Sequence, residues 1–343
     1  MMLPILFDFI KIDEYSATPK YLQLANSIIT AIENAEIKKD SLLPSINALC
    51  YRFDISRDTI QKSYRHLKEI GVIDSFPGKG YCISRRDPRQ KLKVFLLFNR
   101  LSANKKIIYD ALIAGLGDDI TVDFYIYNND IRLFKKLLET RKRDYTHYVI
   151  MPHFIEDSAN AAEMINKIPR DKLILLDKNI TGIHGNYSSV FQNFEKDIYG
   201  ALFQARPQLT KYHTLKLIFP EQSYFPVEII TGFQRFCRQY AFKHEVISDI
   251  NTAPVRKGEV FINLVEDDLV TLLERIIDHK FKLGKDVGVI SYDENPIKSF
   301  ILTGISTIST DFKYMGAITA AMIRENSKKH IEVPFYYTKR SSL

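Results

Sequence analysis

The chain has 343 residues, 45% hydrophobic and 26% charged, enough for two domains with cores of their own. Lys and Arg number 48 against 41 Asp and Glu, and the formal net charge of +7 suits a polyanionic partner. No apolar run approaches the roughly 20 residues that span a bilayer, and three cysteines, Cys50, Cys82 and Cys237, cannot make a paired framework and are expected as buried thiols in a reducing compartment.

Residues 1–7 are apolar but carry no basic leader and no small-residue cleavage site, and Pro4 and Asp8 interrupt them, so a cytoplasmic protein is expected. Over 21–35, Leu22, Ala25, Ile28, Ile29 and Ile32 recur at three- and four-residue steps and predict a core-facing helix. A second helix is expected to open at Pro44-Ser45, with proline in its first turn and Ile46, Leu49, Cys50 and Phe53 on one face. Asp54-Ile55 make a turn, and Ser56 is placed to cap a third helix whose Ile60, Tyr64 and Leu67 face inward. That leaves Arg57, Asp58, Thr59, Gln61 and Lys62 outward. A helix after a tight turn, polar and basic at its start, suits entry into a major groove, and its first amides favour phosphate.

Gly71 ends the third helix, and Val72, Ile73 and Phe76, then Tyr81, Cys82 and Ile83, predict two short strands around Pro77-Gly78-Lys79-Gly80. A glycine tip lets backbone approach a groove, and Lys79 there adds a salt-sensitive contact to phosphate. Alone, such a hairpin reads as an ordinary surface turn; the ordered set reads as a winged helix-turn-helix. The stretch 52–91 carries +5 of the net charge.

Five motifs, in this order and at these separations, resemble the GntR family of bacterial transcription regulators over about the first quarter of the chain: Thr18-Pro19-Lys20-Tyr21-Leu22-Gln23-Leu24-Ala25, Leu43-Pro44-Ser45 with Leu49, Ile55-Ser56-Arg57-Asp58-Thr59-Ile60, Leu67-Lys68-Glu69-Ile70-Gly71-Val72-Ile73 and Pro77-Gly78-Lys79-Gly80. The resemblance implies DNA contacts at Ser45, Arg57, Thr59, Gly78 and Lys79, to which Asn47, Ser56, Gln61 and Lys62 are added as DNA-facing candidates. The chain departs from the family at Lys39-Asp40, at Ile46-Asn47 and at Gln61, so no operator sequence carries over.

The charged stretch 85–92 reads as a linker between a DNA-binding domain at 1–84 and an effector domain at 93–343. Beyond it, buried-strand runs at 93–98, 121–127, 145–151, 172–176, 215–219, 244–247, 260–264 and 287–291 alternate with helical stretches such as 107–116 and 131–141. The expected class is therefore α/β, with parallel sheets in two lobes and helices on both faces. Ligands bind such sheets beyond the carboxyl ends of strands. Those ends carry Asn99-Arg100, Tyr127-Asn128-Asn129-Asp130, His153-Phe154, Asp177-Lys178, Tyr224-Phe225 and Tyr292-Asp293-Glu294. Any one of these is equally well explained as a solvated loop; as a set they point to a pocket with aromatic platforms and a hydrogen-bonding rim, which suits a sugar.

This region also resembles the periplasmic sugar-binding proteins and the effector domains of lactose-repressor-like regulators, through Leu173-Ile174-Leu175-Leu176-Asp177-Lys178, Gly232-Phe233, and Asp286-Val287-Gly288-Val289-Ile290-Ser291-Tyr292-Asp293-Glu294 followed by Gly304-Ile305-Ser306-Thr307-Ile308. The resemblance implies that Asp293 accepts hydrogen bonds from ligand hydroxyls. It also implies a hinged clamp, with crossovers near 190–194 and 305–310 and a last strand at 333–337 returning to the second lobe. Effector candidates are Asn99, Tyr127, His153, Lys178, Asn193, Tyr224, Phe225 and Asp293; Ile229 and Asn193 stand where that family commonly has arginine and aspartate.

Catalytic readings are weaker. Asp293-Glu294 and Glu266-Asp267-Asp268 are adjacent carboxylates, whose side chains diverge rather than flank a bond. His147, His153 and His279 lack metal-ligand spacing, and Gly115-Leu116-Gly117 lacks the third glycine of a nucleotide loop. A pyridoxal-phosphate domain, found in some GntR-like proteins, needs more chain than remains. The expectation is a ligand-responsive transcription regulator without enzymatic activity, metal or cofactor. It is expected to act as a repressor, as a homodimer on a pseudo-palindromic operator with half-sites roughly 10 bp or a multiple apart, with a sugar or sugar phosphate as effector. A sugar-processing enzyme, or a sugar-binding protein with no role on DNA, are the alternatives; the second leaves the wing module unexplained.

Overall fold

A computed structural model describes residues 7–76, 80–84, 92–117, 120–140, 145–154, 158–221 and 225–343. Gly78, Lys79 and Tyr224, and all of the expected linker but Leu92, lie outside these residues.

The first helix, α1 (Lys20–Glu33), buries Leu24, Ala25, Ile28, Ile29 and Ile32, the side that the apolar spacing marks. Helix α2 (Ile46–Phe53) starts one residue later than expected: Ser45 is the cap, its hydroxyl accepting from the Ala48 amide at 3.2 Å, and Pro44 lies outside the helix. Its carbonyl instead accepts the buried Tyr64 hydroxyl at 2.7 Å. Helix α3 (Arg57–Glu69) is capped by Ser56, which accepts from the Thr59 amide at 3.3 Å. Strands β1 (Ile73–Phe76) and β2 (Gly80–Ile83) pair antiparallel, and Leu24, Ile28, Leu49, Ile60, Tyr64, Leu67, Ile73 and Ile83 share one core. The three cysteines are free; Cys237 is buried, whereas Cys50 and Cys82 are only half-buried because they sit at the margin of this small core.

Two six-stranded sheets follow. The first lobe holds β3 (Leu92–Phe98), α4 (Ala103–Leu116), β4 (Ile120–Ile126), α5 (Ile131–Thr140), β5 (His147–Ile150), α6 (Ser158–Ile165), β6 (Leu173–Asp177) and β7 (Ser188–Phe191). The second holds α7 (Phe194–Leu209), β8 (Thr214–Ile218), α8 (Glu228–Gln239), β9 (Lys243–Ile247), β10 (Glu259–Asn263), α9 (Glu266–Asp278), β11 (Val287–Tyr292) and β12 (Ser306–Thr310). The chain then returns to the first lobe for α10 (Phe312–Glu325), packed on α4, and β13 (His330–Glu332), and ends in the second lobe with β14 (Phe335–Thr338). Strand orders are β13-β7-β6-β5-β3-β4 and β14-β12-β11-β10-β8-β9, parallel throughout except for the β12–β14 pair. Each sheet is covered on both faces by apolar clusters, which is why its strands read as continuous hydrophobic runs. Gly232 lets α8 lie against α7: a Cβ there would come within 2.2 Å of the Glu195 carbonyl oxygen.

The chain crosses between lobes three times, at 192–193, at Asp311 and at 333–334. The crossovers are tied together: the Val333 amide donates to the Phe191 carbonyl at 2.9 Å, the Asp311 amide to the Pro334 carbonyl at 3.0 Å, and the Thr310 hydroxyl to Gln192 Oε1.

One contact has no counterpart in the sequence reading. Ser16 forms an antiparallel bridge to Tyr125 on β4, the outer strand of the first lobe, and Lys93 Nζ lies 2.7 Å from Glu33 Oε2 on α1.

Candidate functional site

The capping of α3 determines what its first turn can offer. Ser56 Oγ lies 2.8 Å from Thr59 Oγ1 while accepting the Thr59 amide, so both hydroxyls are engaged within the helix start. Arg57, Asp58 and Lys62 are exposed, and Thr59 and Gln61 are half-buried. Lys62 Nζ rests 4.2 Å from the centre of the Tyr21 ring, a cation–π contact that holds its charge on the outer face. Ser45 and Asn47 are exposed on α2 beside Tyr51, which is 94% exposed and was not among the expected contacts. Lys68 ties α3 to β1 through the Ser75 hydroxyl at 2.8 Å.

A cleft of about 540 Å³ opens between the lobes. The carboxyl ends of β3, β5 and β6 supply Asn99, His153 and Asp177; α4 supplies Asn104 and Lys105; the second lobe supplies Tyr292 and Asp293 after β11 and Glu266 from α9. Phe194, Phe225, Ile229 and Leu264 form an apolar wall. Of the expected effector residues, Asn99, His153, Phe225 and Asp293 line the cleft. Tyr127, Lys178 and Asn193 do not, each for a local reason. The Tyr127 hydroxyl accepts the His153 amide at 2.9 Å and donates towards the Met151 and His153 carbonyls, which fixes the loop from beneath. Asn193 caps α7 through the Lys196 amide. Lys178 follows Asp177, whose left-handed backbone, φ +76°, gives the cleft position to the aspartate.

Asp177 is the residue the sequence reading passed over in favour of its neighbour. It is buried, and Oδ2 accepts from His153 Nε2 at 2.9 Å and from Lys105 Nζ, while Oδ1 accepts from Gln192 Nε2. Burial alone would raise its pKa, but the Lys105 ammonium and the His153 hydrogen bond hold the carboxyl well below the usual range. Burial pushes the His153 imidazole below its ordinary value against the pull of Asp177, so the ring is neutral and donates through Nε2. Because Gln192 bonds both Asp177 and Thr310, the first-lobe floor of the cleft is continuous with the crossovers.

Asp293 also has a left-handed backbone, φ +64°, and burial pushes its carboxyl up to about 6. Its Oδ2 accepts from Asn104 Nδ2 at 2.6 Å, a hydrogen bond that spans the two lobes. Glu294, also on the lining, makes a two-armed pair with Arg340 at 3.0 and 2.9 Å. The backbone at both cleft aspartates is one that non-glycine residues seldom adopt, a cost of about 1–3 kcal/mol each that tends to gather at functional sites. Among the described residues, no group of three His, Cys, Asp or Glu side chains could hold a metal ion.

The family model "Bacterial regulatory proteins, gntR family" matches residues 20–83, the span from α1 through β2. These residues form a gntR-family domain. Among curated relatives, the arabinose metabolism transcriptional repressor of Geobacillus stearothermophilus is 24% identical over 131 residues, 37% of this chain and 36% of that protein. The chain spans 36%, 59% and 34% of the length of the first three curated relatives it matches. Beyond the gntR domain the likeness is one of fold. The Lac repressor bound to ONPG superposes with a TM-score of 0.62 at 14% identity, covering 84% of this chain and 92% of that one. A LacI family transcriptional regulator from Silicibacter pomeroyi gives 0.60 at 16% identity, covering 73% and 98%. A gntR domain thus stands ahead of a two-lobed fold of the Lac-repressor type, and no lining residue of the cleft lies within the matched span.

Proposed function

We propose that the protein is a DNA-binding transcription regulator, a repressor, whose operator affinity is set by a small hydroxylated effector held between the two lobes. One observation carries this reading: a gntR domain with an exposed Arg57 and Lys62 face is joined, by backbone hydrogen bonds as well as by the chain, to a clefted fold whose two lobes are linked by tied crossovers. Arg57, Asn47 and Gln61 are assigned to base edges and phosphates at the start of α3 and α2. Ser45, Ser56 and Thr59 are assigned to holding those helix starts, and Lys62, with Gly78 and Lys79 of the wing, to phosphate.

In the cleft, Asn99, His153, Asp177 and Asp293 are assigned to the polar rim and Phe225 to the apolar wall; Tyr127 positions His153. A ligand that touches both lobes favours one lobe angle over another by its difference in affinity for the two. Couplings of this kind amount to about 1–3 kcal/mol, or a 5–150-fold change in operator affinity. Two copies on a pseudo-palindromic site would convert lobe angle into the separation of two α3 helices. An enzyme reading has less support, because Lys105, His153 and Gln192 all donate to Asp177 and its carboxyl, held well below the usual range, is a poor proton acceptor.

The test is selection of bound fragments from random duplex DNA by the full chain, followed by affinity measurement at two salt concentrations. Recovery of a two-fold symmetric site with steeply salt-dependent affinity is expected; failure to enrich any sequence would remove the reading.

A further inference from the structure

The charges of the cleft are unevenly spent. Lys105 is held by Asp177. Lys298, 2% exposed, donates from Nζ to the Tyr292 carbonyl at 3.0 Å and the Asp293 carbonyl at 2.9 Å, and lies 3.8 Å from Glu266. Arg340 is held by both oxygens of Glu294. The wall that faces the rim is Phe194, Phe225, Ile229 and Leu264, which gives an anion nothing. Arg100 also belongs to the lining, and a phosphate reaching it would enter a cleft that presents Glu266, Asp267 and Asp293 as well.

The Asp293 carboxyl is in the opposite position. Asp293 receives only a neutral amide, Asn104 Nδ2, in direct hydrogen bonding. Its carboxyl is raised mainly by burial, then shaped by Lys298 and Lys105, which favour the charged form, and by Asp177 and Glu266, which oppose it. A ligand ammonium beside it would make a charge-assisted hydrogen bond in a poorly solvated place. Independently of charge, two buried polar atoms on lining residues lack a protein partner: Asn99 Oδ1 and the Tyr292 hydroxyl, on side chains 0% and 5% exposed. Buried polar groups are rarely left so, and an acceptor and a hydroxyl on opposite lobes call for ligand hydroxyls that bridge them.

We infer that the effector is a hydroxylated molecule bearing a primary ammonium group, of amino-sugar or amino-polyol class, seated with its amine between Asp293 and Glu266, and that phosphorylated sugars are turned away. The inference rests on the reading of the cleft as an effector site and narrows it.

The experiment is titration calorimetry on the full chain with three matched series: glucose, galactose and mannose, their 2-amino-2-deoxy forms, and their 6-phosphates. An amino form is expected to bind about 10-fold or more tightly than its parent, with no heat from the phosphates. In Asp293→Asn the ratio of amine to parent affinity falls towards one; if that variant does not fold, Glu266→Gln is expected to lower the same ratio. A phosphate that binds as tightly as its parent, or an amine with no advantage, overturns the inference while leaving an effector site in place. If none of the nine compounds binds or shifts operator affinity, the reading of the cleft as a carbohydrate-type site falls with it.

Discussion

The Ala17 amide donates to the Phe124 carbonyl oxygen at 2.6 Å, joining the segment before α1 to the outer strand of the first lobe. The bond is reciprocated: the Phe124 amide donates to Thr18 Oγ1 at 2.7 Å, and the Ser16 hydroxyl donates to the Phe124 carbonyl at 3.1 Å. An outer strand with unpaired amides is a liability that this segment covers. Together with the Lys93–Glu33 pair, it ties the gntR domain to the first lobe.

Thr18→Val removes the acceptor of a buried amide and is expected to cost about 1–3 kcal/mol locally. Hydrogen exchange at Phe124 should speed up, and the effector should lose its influence on operator affinity although each ligand still binds. Unchanged exchange at Phe124, or full effector response, would show that the linker alone couples the two parts.

Arg57→Ala should weaken specific operator binding by about 1–3 kcal/mol, with relaxed discrimination at the base it meets. Lys62→Ala should weaken binding to all duplexes alike and reduce the slope of log affinity against log salt by about 1. Anisotropy titrations on specific and scrambled duplexes separate the two. Equal affinities of variant and parent would exclude these side chains from the interface.

Asp197 lies on α7 beside the crossovers, with Oδ2 lacking a protein partner; burial, and then the Glu332 carboxylate, push its carboxyl up to about 7. A carboxyl raised in the folded state holds its proton more tightly there than in the unfolded chain, so stability falls as pH rises from about 4 through 7 and is flat beyond. Asp197→Asn removes that penalty. Its Tm should match the parent's near pH 4 and exceed it by a margin that grows to a plateau above pH 7. A gap that does not vary with pH would contradict the assignment.

Ile297, Phe300 and Leu302 stand on one short stretch of the second lobe, with Phe300 82% exposed. Apolar side chains so grouped mark contact surfaces, and the partner that the proposed two-fold operator calls for is a second copy of this chain. Phe300→Glu should convert a dimer into a monomer in sedimentation at micromolar concentration. A parent chain that is already monomeric would remove this surface from consideration.

The gntR domain was legible because its signals are local: apolar periodicity fixes α1, serines cap α2 and α3, and Gly71 closes the third helix. Seven of the eight runs became strands buried enough to be mainly hydrophobic, and the eighth, β9, is an outer strand that alternates exposed and half-buried residues before Ile247. Strands β7, β12 and β13 were not expected as strands, being short and polar, and 305–310 was expected as a crossover: Ser188 is buried with its hydroxyl on the Ser327 carbonyl, Ser189 with its hydroxyl on His330 Nδ1 at 2.7 Å, and Ser306 with its hydroxyl on the Arg340 carbonyl at 3.0 Å. Among the strand ends, pattern alone could not choose between Asp177 and Lys178, because a left-handed backbone decides which one faces the cleft. Lys105 and Asn104 gave no signal at all, being ordinary polar residues in the first turn of α4 until the fold brings them to Asp177 and Asp293. The contact of Ala17 with Phe124 joins segments more than 100 residues apart, as the separation of 106 between Thr18 and Phe124 illustrates, and no local pattern reports it.

Operator affinity with the cleft empty and with it saturated, measured on the full chain by fluorescence anisotropy, tests the coupling most directly. A change of about 5–150-fold is predicted, and in Arg57→Ala the same ratio is expected on a weaker operator affinity. An operator affinity that a saturating cleft ligand leaves unmoved would contradict it.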